Sequence, residues 1–181
     1  MKQFFKDKKW APYIGLPLLV AALFFCKMGS HEPFPLLLSL LLLIFGYVAA
    51  VMDLREKRVP NKLVLAMLIA WVLIIVPQLF LKTENAVIQL WHSAAGFLIS
   101  SLLFLLVYFI SRKGLGGGDV KLMGMAGLYL GWEGVLPTIF IGSVLAALTG
   151  GILVLAKKIT MKDSIPLVPF LYVGMLLAIF F

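Results

Sequence analysis

Seven apolar runs fill almost the whole chain: about residues 11–28, 34–53, 61–81, 86–111, 119–131, 134–156 and 165–181. Six are long enough to cross roughly 30 Å of hydrocarbon as helices. The fifth is short, and at about 1.5 Å per residue it covers only about 20 Å. Apolar residues make up 62% of the sequence and charged residues 13%, with a mean hydropathy of +1.07. Soluble domains run at about 45–50% apolar and about 25% charged. A chain of 181 residues cannot hide so much apolar surface in a globular core, so a bilayer is its natural solvent.

The basic residues decide the topology. The net charge of +8 could suggest nucleic acid, but Lys and Arg lie in short clusters between the apolar runs, which is how orientation is encoded in membrane proteins. If all seven runs cross and the N-terminus is cytoplasmic, every basic residue except Lys27 and Lys82 falls inside. If the fifth run did not cross, Lys157, Lys158 and Lys162 would land outside, against the positive-inside rule. A short helix can cross where protein buries it or the bilayer thins. The expectation is an all-α polytopic helix bundle in the inner membrane, N-terminus cytoplasmic and C-terminus outside, with the fifth helix starting at Asp119. Residues 1–33 read as a basic arm (Lys2, Lys6, Lys8, Lys9) and a retained signal anchor, because no small-x-small cleavage site follows the apolar run. Residues 34–181 read as the core. Cys26 is alone, which excludes an internal disulfide and a Cys-based zinc site.

Eight acids are few enough to take singly: Asp7, Glu32, Asp53, Glu56, Glu84, Asp119, Glu133 and Asp163. Asp7 and Asp163 lie in basic loops. Glu32, Glu84 and Glu133 are expected in short external loops, and Glu56 sits inside Arg55-Glu56-Lys57-Arg58. Asp53 and Asp119 differ. Asp53 ends an uninterrupted apolar run, and Asp119 follows Gly114-Leu115-Gly116-Gly117-Gly118 and opens the short helix. Both are expected at one depth on one side, where an ionisable group is costly unless it faces a polar cavity. Ordinary structural roles exist for each: Asp119 as a helix N-cap, Asp53 as a boundary charge neutralised by Arg55 or Arg58. Capping leaves the glycine run unexplained. Three successive glycines let a backbone turn sharply and approach another chain closely.

Two carboxyls held together there would share one proton, since like charges a few ångströms apart do not both ionise easily. The ionised partner can take a proton from water while the protonated one donates to a carbonyl oxygen. That chemistry hydrolyses a peptide without metal or cofactor. His31 and His92 are isolated, no Ser-His-Asp set shares one depth, and no metal-ligand spacing occurs. The glycine run also lacks the Lys-Ser/Thr ending of a P-loop.

At these residues the sequence resembles the type IV prepilin peptidases, a family of membrane aspartyl proteases, and their archaeal preflagellin relatives. Asp53-Leu54-Arg55 with Arg58-Val59-Pro60-Asn61 is similar to the family's first catalytic segment. Gly116-Gly117-Gly118-Asp119-Val120-Lys121-Leu122 matches its Gly-x-Gly-Asp motif with the Lys-Leu continuation. Gly127-Leu128-Tyr129-Leu130-Gly131-Trp132 resembles the end of the short helix, and Ile165-Pro166-Leu167-Val168-Pro169-Phe170 the start of the last one. The likeness covers roughly residues 40–181.

The resemblance implies that Asp53 and Asp119 are the catalytic pair, with Gly116, Gly117, Gly118, Arg58, Pro60 and Asn61 positioning them. It implies a pilin-like or pseudopilin precursor as substrate, cut on the cytoplasmic side after a glycine that separates a short basic leader from a hydrophobic helix. Membrane lipids are the other expected partner, and nucleic acid is not one. Lys121 belongs to the same motif and positioning set; on a helix it points well away from Asp119's face, and orienting lipid, orienting the glycine loop and catalysis all stay open for it. Larger bacterial members carry a cytosolic insert with paired cysteines linked to N-methylation. No such insert stands between these runs, so methylation is not expected. Two other readings use the same acids: a non-catalytic subunit or small transporter with a proton or cation site, and a Gly-x-Gly-Asp protease that cuts within a helix.

Overall fold

A computed structural model describes residues 33–111, 115–158 and 165–180. The expected arm and signal anchor lie outside the described residues apart from Pro33, as do Asp7, His31, Glu32 and Asp163. Everything regular among the described residues is helical: α1 (Pro33–Glu56), α2 (Asn61–Leu81), α3 (Thr83–Ile110), α4 (Gly117–Leu155) and α5 (Val168–Phe180). The first four are long and apolar enough to cross a membrane, and α5 is a shorter apolar helix. The chain is a multi-pass membrane helix bundle.

Its turns follow from local chemistry. The α1 helix closes with the Lys57 N–H donating to the Asp53 carbonyl at 2.9 Å, Lys57 itself having a left-handed φ of 52°. A residue in that region ends a helix by redirecting the chain while its N–H still satisfies a terminal carbonyl. Pro60 follows with φ −72° and ψ 141°, and its carbonyl accepts the Leu63 N–H at 3.0 Å to begin α2. Proline cannot extend the preceding helix and has no N–H to leave unpaired there. Only Lys82 separates α2 from α3.

Gly131 divides α4. Its φ of 68° and ψ of −178° interrupt the helix, a conformation open to glycine because no Cβ meets the backbone. Before the break, Gly124 lies against Phe97 and Ser101, Gly127 against Gly96 and Ser100, and Gly131 against His92. Residues 117–130 therefore run antiparallel to α3. After the break, Gly174 of α5 lies against Thr138, Gly142 against Leu171, and Gly150 against Ile165. Residues 132–155 therefore run antiparallel to α5, back toward the end where α4 began. The chain reverses at Gly131, and the two arms correspond to the fifth and sixth apolar runs. The first arm starts at Gly117, two residues earlier than the sequence suggests. Glu84 and Glu133, expected in loops, occupy the first turn of α3 and the helix just beyond Gly131.

Small residues make this packing close. A methyl group on Gly127 would collide with the Gly96 backbone, and one on Gly96 with Gly127 and Gly131. Without a hydrophobic drive between helices in lipid, such close backbone contact is a main source of association. Polar side chains add cross-links: the Tyr129 hydroxyl donates to the Met67 carbonyl at 2.7 Å, and the Trp71 indole N–H to the Leu128 carbonyl at 3.0 Å. Leu38, Leu42, Met67, Leu122, Leu171 and Met175 fill the centre, while Leu73, Phe80, Phe109 and Phe140 project outward where lipid would cover them.

Candidate active site

Four helix ends meet at one end of the bundle: the last turns of α1 and the first turns of α2, α4 and α5. Each end delivers one part of the site. Asp53, only 5% exposed, lies one turn before the end of α1, and its Oδ2 accepts the Val168 N–H at 3.0 Å. That amide is one of the unpaired donors at a helix N-terminus. Asp53 therefore caps α5 from another helix.

Asp119 is half-buried and occupies the third helical position of α4, rather than the N-cap position suggested by its sequence context. Gly116 is the N-cap residue, and its N–H donates to Asp119 Oδ2 at 3.2 Å. The Asp119 N–H donates in turn to the Gly116 carbonyl at 3.0 Å. A carboxylate here completes half of a capping box and favours the positive end of the helix dipole. Capping occupies one oxygen of Asp119 and leaves the other for a second partner. Asp53 and Asp119 thus lie at the same end of the bundle, with Lys57 just beyond the α1 helix that carries Asp53.

The three glycines play separate parts. Gly117 has nothing within 4 Å of the position a Cβ would take, so its absent side chain is not needed for space. Gly118 is pressed on the turn after α1: a Cβ there would lie 3.1 Å from the Val59 carbonyl oxygen and 3.3 Å from its nitrogen. Backbone cannot swing aside as a side-chain tip can. The turn carrying Val59 therefore rests directly on the first turn of α4, which draws the helix ends bearing Asp53 and Asp119 together.

Lys121 and Asn61 form a second link between the same elements. Lys121 Nζ donates to Asn61 Oδ1 at 3.0 Å, joining the first turns of α4 and α2. Gly116, Gly117, Gly118, Lys121, Pro60 and Asn61 thus gather around the two aspartates, and Arg58 is exposed in the intervening turn. Two partners lay in segments the resemblance had marked but without a role of their own: the Val168 amide, supplied by backbone, and Val59, which supplies a surface. Among the described residues no group of three His, Cys, Asp or Glu side chains could hold a metal ion.

Charge is divided between the two ends. Arg55, Lys57, Arg58, Lys62, Lys121, Lys157 and Lys158 lie at the aspartate end, and Lys82, Glu84 and Glu133 at the other. A cavity of about 970 Å³ also lies at that far end, between His92, Gln78, Gly131 and Leu177. It is not where the aspartates are.

The fold is that of a multi-pass membrane helix bundle with two acids at one end, and the sequence comparisons give its family. The chain belongs to the type IV leader peptidase family, whose profile matches residues 36–151 and so includes both aspartates. It is 33% identical over 141 residues to the prepilin leader peptidase/N-methyltransferase of Stutzerimonas stutzeri, covering 75% of this chain and 47% of that protein. The protein of the same name from Escherichia coli K12 is 30% identical, with 82% and 64% covered. That from Bacillus subtilis 168 is 28% identical, with 88% and 62% covered. The chain spans about half to two thirds of the length of these relatives. No solved structure matches it.

Proposed function

We propose that the protein is a membrane aspartyl endopeptidase that removes the short basic leader from a pilin-like precursor. The single observation that carries this reading is the placement of Asp53 and Asp119 at the basic end of the bundle, on helix ends held in backbone contact where Gly118 meets Val59. Family membership supports peptidase chemistry, and the relatives' names supply prepilin as the substrate class. The positive-inside rule assigns the basic end to the cytoplasm, and the inner membrane is then the location.

The mechanism needs one carboxyl ionised and the other protonated. The ionised partner takes a proton from a water molecule between them as that water attacks the scissile carbonyl carbon. The protonated partner donates to the carbonyl oxygen. Collapse of the tetrahedral intermediate expels the new amine, which takes up a proton, and the pair returns to its starting state. The proton taken from water goes to the leaving nitrogen, and the one lent to the carbonyl oxygen returns to its carboxyl on collapse, so no cofactor enters. The hydrophobic helix of the precursor would lie in lipid beside the bundle, which places the Gly–hydrophobic junction at the depth of the two aspartates. The proposal covers the peptidase step alone. The methyltransferase half of the relatives' name stays with those longer proteins.

The test is conversion of a precursor in membranes containing the wild type, Asp53→Asn or Asp119→Asn. Wild type shortens the precursor by its leader, with the cut located by mass spectrometry. Both variants are present at normal level and inactive. Cleavage by either variant at the wild-type rate would falsify the dyad.

A further inference from the structure

We infer that Lys121 is a positioning residue: its hydrogen bond to Asn61 clamps the first turn of α4 to the first turn of α2 and so sets the separation of Asp53 and Asp119. The inference rests on the proposed peptidase reading and adds a role for a side chain that does not touch the acid pair. Lys121 Nζ lies 3.0 Å from Asn61 Oδ1, across sixty positions of sequence. Lys121 is three residues beyond Gly118, which meets Val59, and Asn61 is two residues beyond Val59. Backbone contact and side-chain bond therefore tie the same two segments at neighbouring points.

The backbone contact alone limits approach but not separation, since van der Waals contact resists compression far more than it resists opening. A hydrogen bond to a charged donor supplies the missing restraint and is stronger than a neutral one. Asp119 is two residues from Lys121 on a rigid turn, and Asp53 reaches the same turn through Lys57 to Asn61. A shift at the clamp therefore passes to the pair with little else to absorb it. Misplacement by about 1 Å is enough to cost about a hundredfold in rate. The charged groups around the two carboxyls are Lys57, just beyond α1, which acts on Asp53, and Asp53 itself, which acts on Asp119.

The experiment uses purified full-length protein in lipid nanodiscs with a precursor substrate. Variants are Asn61→Ala, Lys121→Met, their combination, and Lys121→Arg. Each single change lowers kcat about tenfold or more while KM stays within about twofold. The double variant is no worse than the worse single one, because either change already opens the clamp. Lys121→Arg recovers part of the loss, since a guanidinium still reaches the Asn61 oxygen. The pH–rate profile gives a readout that simple destabilisation does not move. Carboxyls that move apart couple less, so the acidic and basic limbs draw closer together in both single variants.

Multiplicative losses, unchanged limbs, or a loss confined to Lys121→Met would overturn the clamp; the last would assign Lys121 to lipid or substrate instead. Amine-reactive labelling of Lys121, read by mass spectrometry, is independent of activity. Labelling accelerates in Asn61→Ala, and an unchanged rate overturns the inference even if no variant cleaves. A wild type without cleavage would instead remove the peptidase reading and leave the clamp to be judged by labelling.

Discussion

The Val168 amide donates to Asp53 Oδ2 at 3.0 Å across 115 positions of sequence, so a candidate catalytic carboxylate is also the cap of the last helix. Structure and chemistry can be separated at this residue. Asn keeps an oxygen acceptor for the amide, whereas Ala removes it. Asp53→Asn is expected to unfold near the wild-type temperature and to be inactive. Asp53→Ala leaves a buried N–H without a partner, which costs about 1–3 kcal/mol, and its thermal midpoint in detergent drops accordingly. Equal midpoints for the two variants would show that the capping bond contributes nothing.

The pH dependence of cleavage follows from the acid pair. At low pH the ionised carboxyl gains a proton and no base remains to activate water. At high pH the second carboxyl loses its proton and no acid remains for the carbonyl oxygen. The rate of leader removal is therefore bell-shaped, with both limbs belonging to the pair rather than to one residue. Initial rates across a buffer series check it. A rate that climbed with pH and never fell would exclude a protonated partner.

The glycine motif makes a position-by-position prediction. Gly117→Ala is tolerated, because nothing lies within 4 Å of the added methyl. Gly118→Ala pushes on the Val59 backbone and is expected to lose about 1–3 kcal/mol as an overpacked contact, with most of the cleavage activity. Gly127→Leu drives a side chain into the Gly96 backbone and is expected to prevent accumulation of folded protein. Quantitative immunoblotting of membranes, with cleavage normalised to protein level, ranks the three. A Gly117 variant as impaired as the Gly118 variant would mean that flexibility, not close approach, is what the motif supplies.

Hydropathy and charge made most of this architecture legible. Six of the seven apolar runs reappear as helical segments, and the reversal at Gly131 matches the boundary between the fifth and sixth. That the two aspartates share one end of the bundle was legible too, because Asp53 ends one apolar run and Asp119 opens another whose direction alternates with its neighbours. What was hidden depends on contacts between distant parts of the chain. The glycine run read as a sharp turn and a close approach; Gly117 and Gly118 instead form the first turn of α4, while the close approach is there, with Val59 packed on Gly118. Lys121 was open to orienting lipid, orienting the glycine loop or catalysis, and nothing in its helical phase paired it with Asn61. The partner of Asp53 could not be found by scanning for polar side chains, since a backbone amide supplies it. Aspartates could be found because acids are rare here; their supports are ordinary residues in unusual places.

The basic end of the bundle raises an electrostatic problem with a measurable answer. Arg55, Lys57, Arg58, Lys62, Lys121, Lys157 and Lys158 gather where a basic leader would have to arrive. Like charges should slow that encounter unless anionic lipid head groups screen the field. A negative leaflet attracts basic segments by about 1 kcal/mol per Lys or Arg, within about a Debye length of the surface. A precursor held in the same bilayer would then meet a neutralised face. Cleavage is expected to run several-fold faster in vesicles rich in phosphatidylglycerol than in phosphatidylcholine alone. Added salt is expected to narrow the difference, raising the neutral-lipid rate by screening the repulsion directly. Equal rates in the two lipids at low salt would mean that the ionised aspartate and local geometry already offset the repulsion, and lipid charge would have no part in substrate capture.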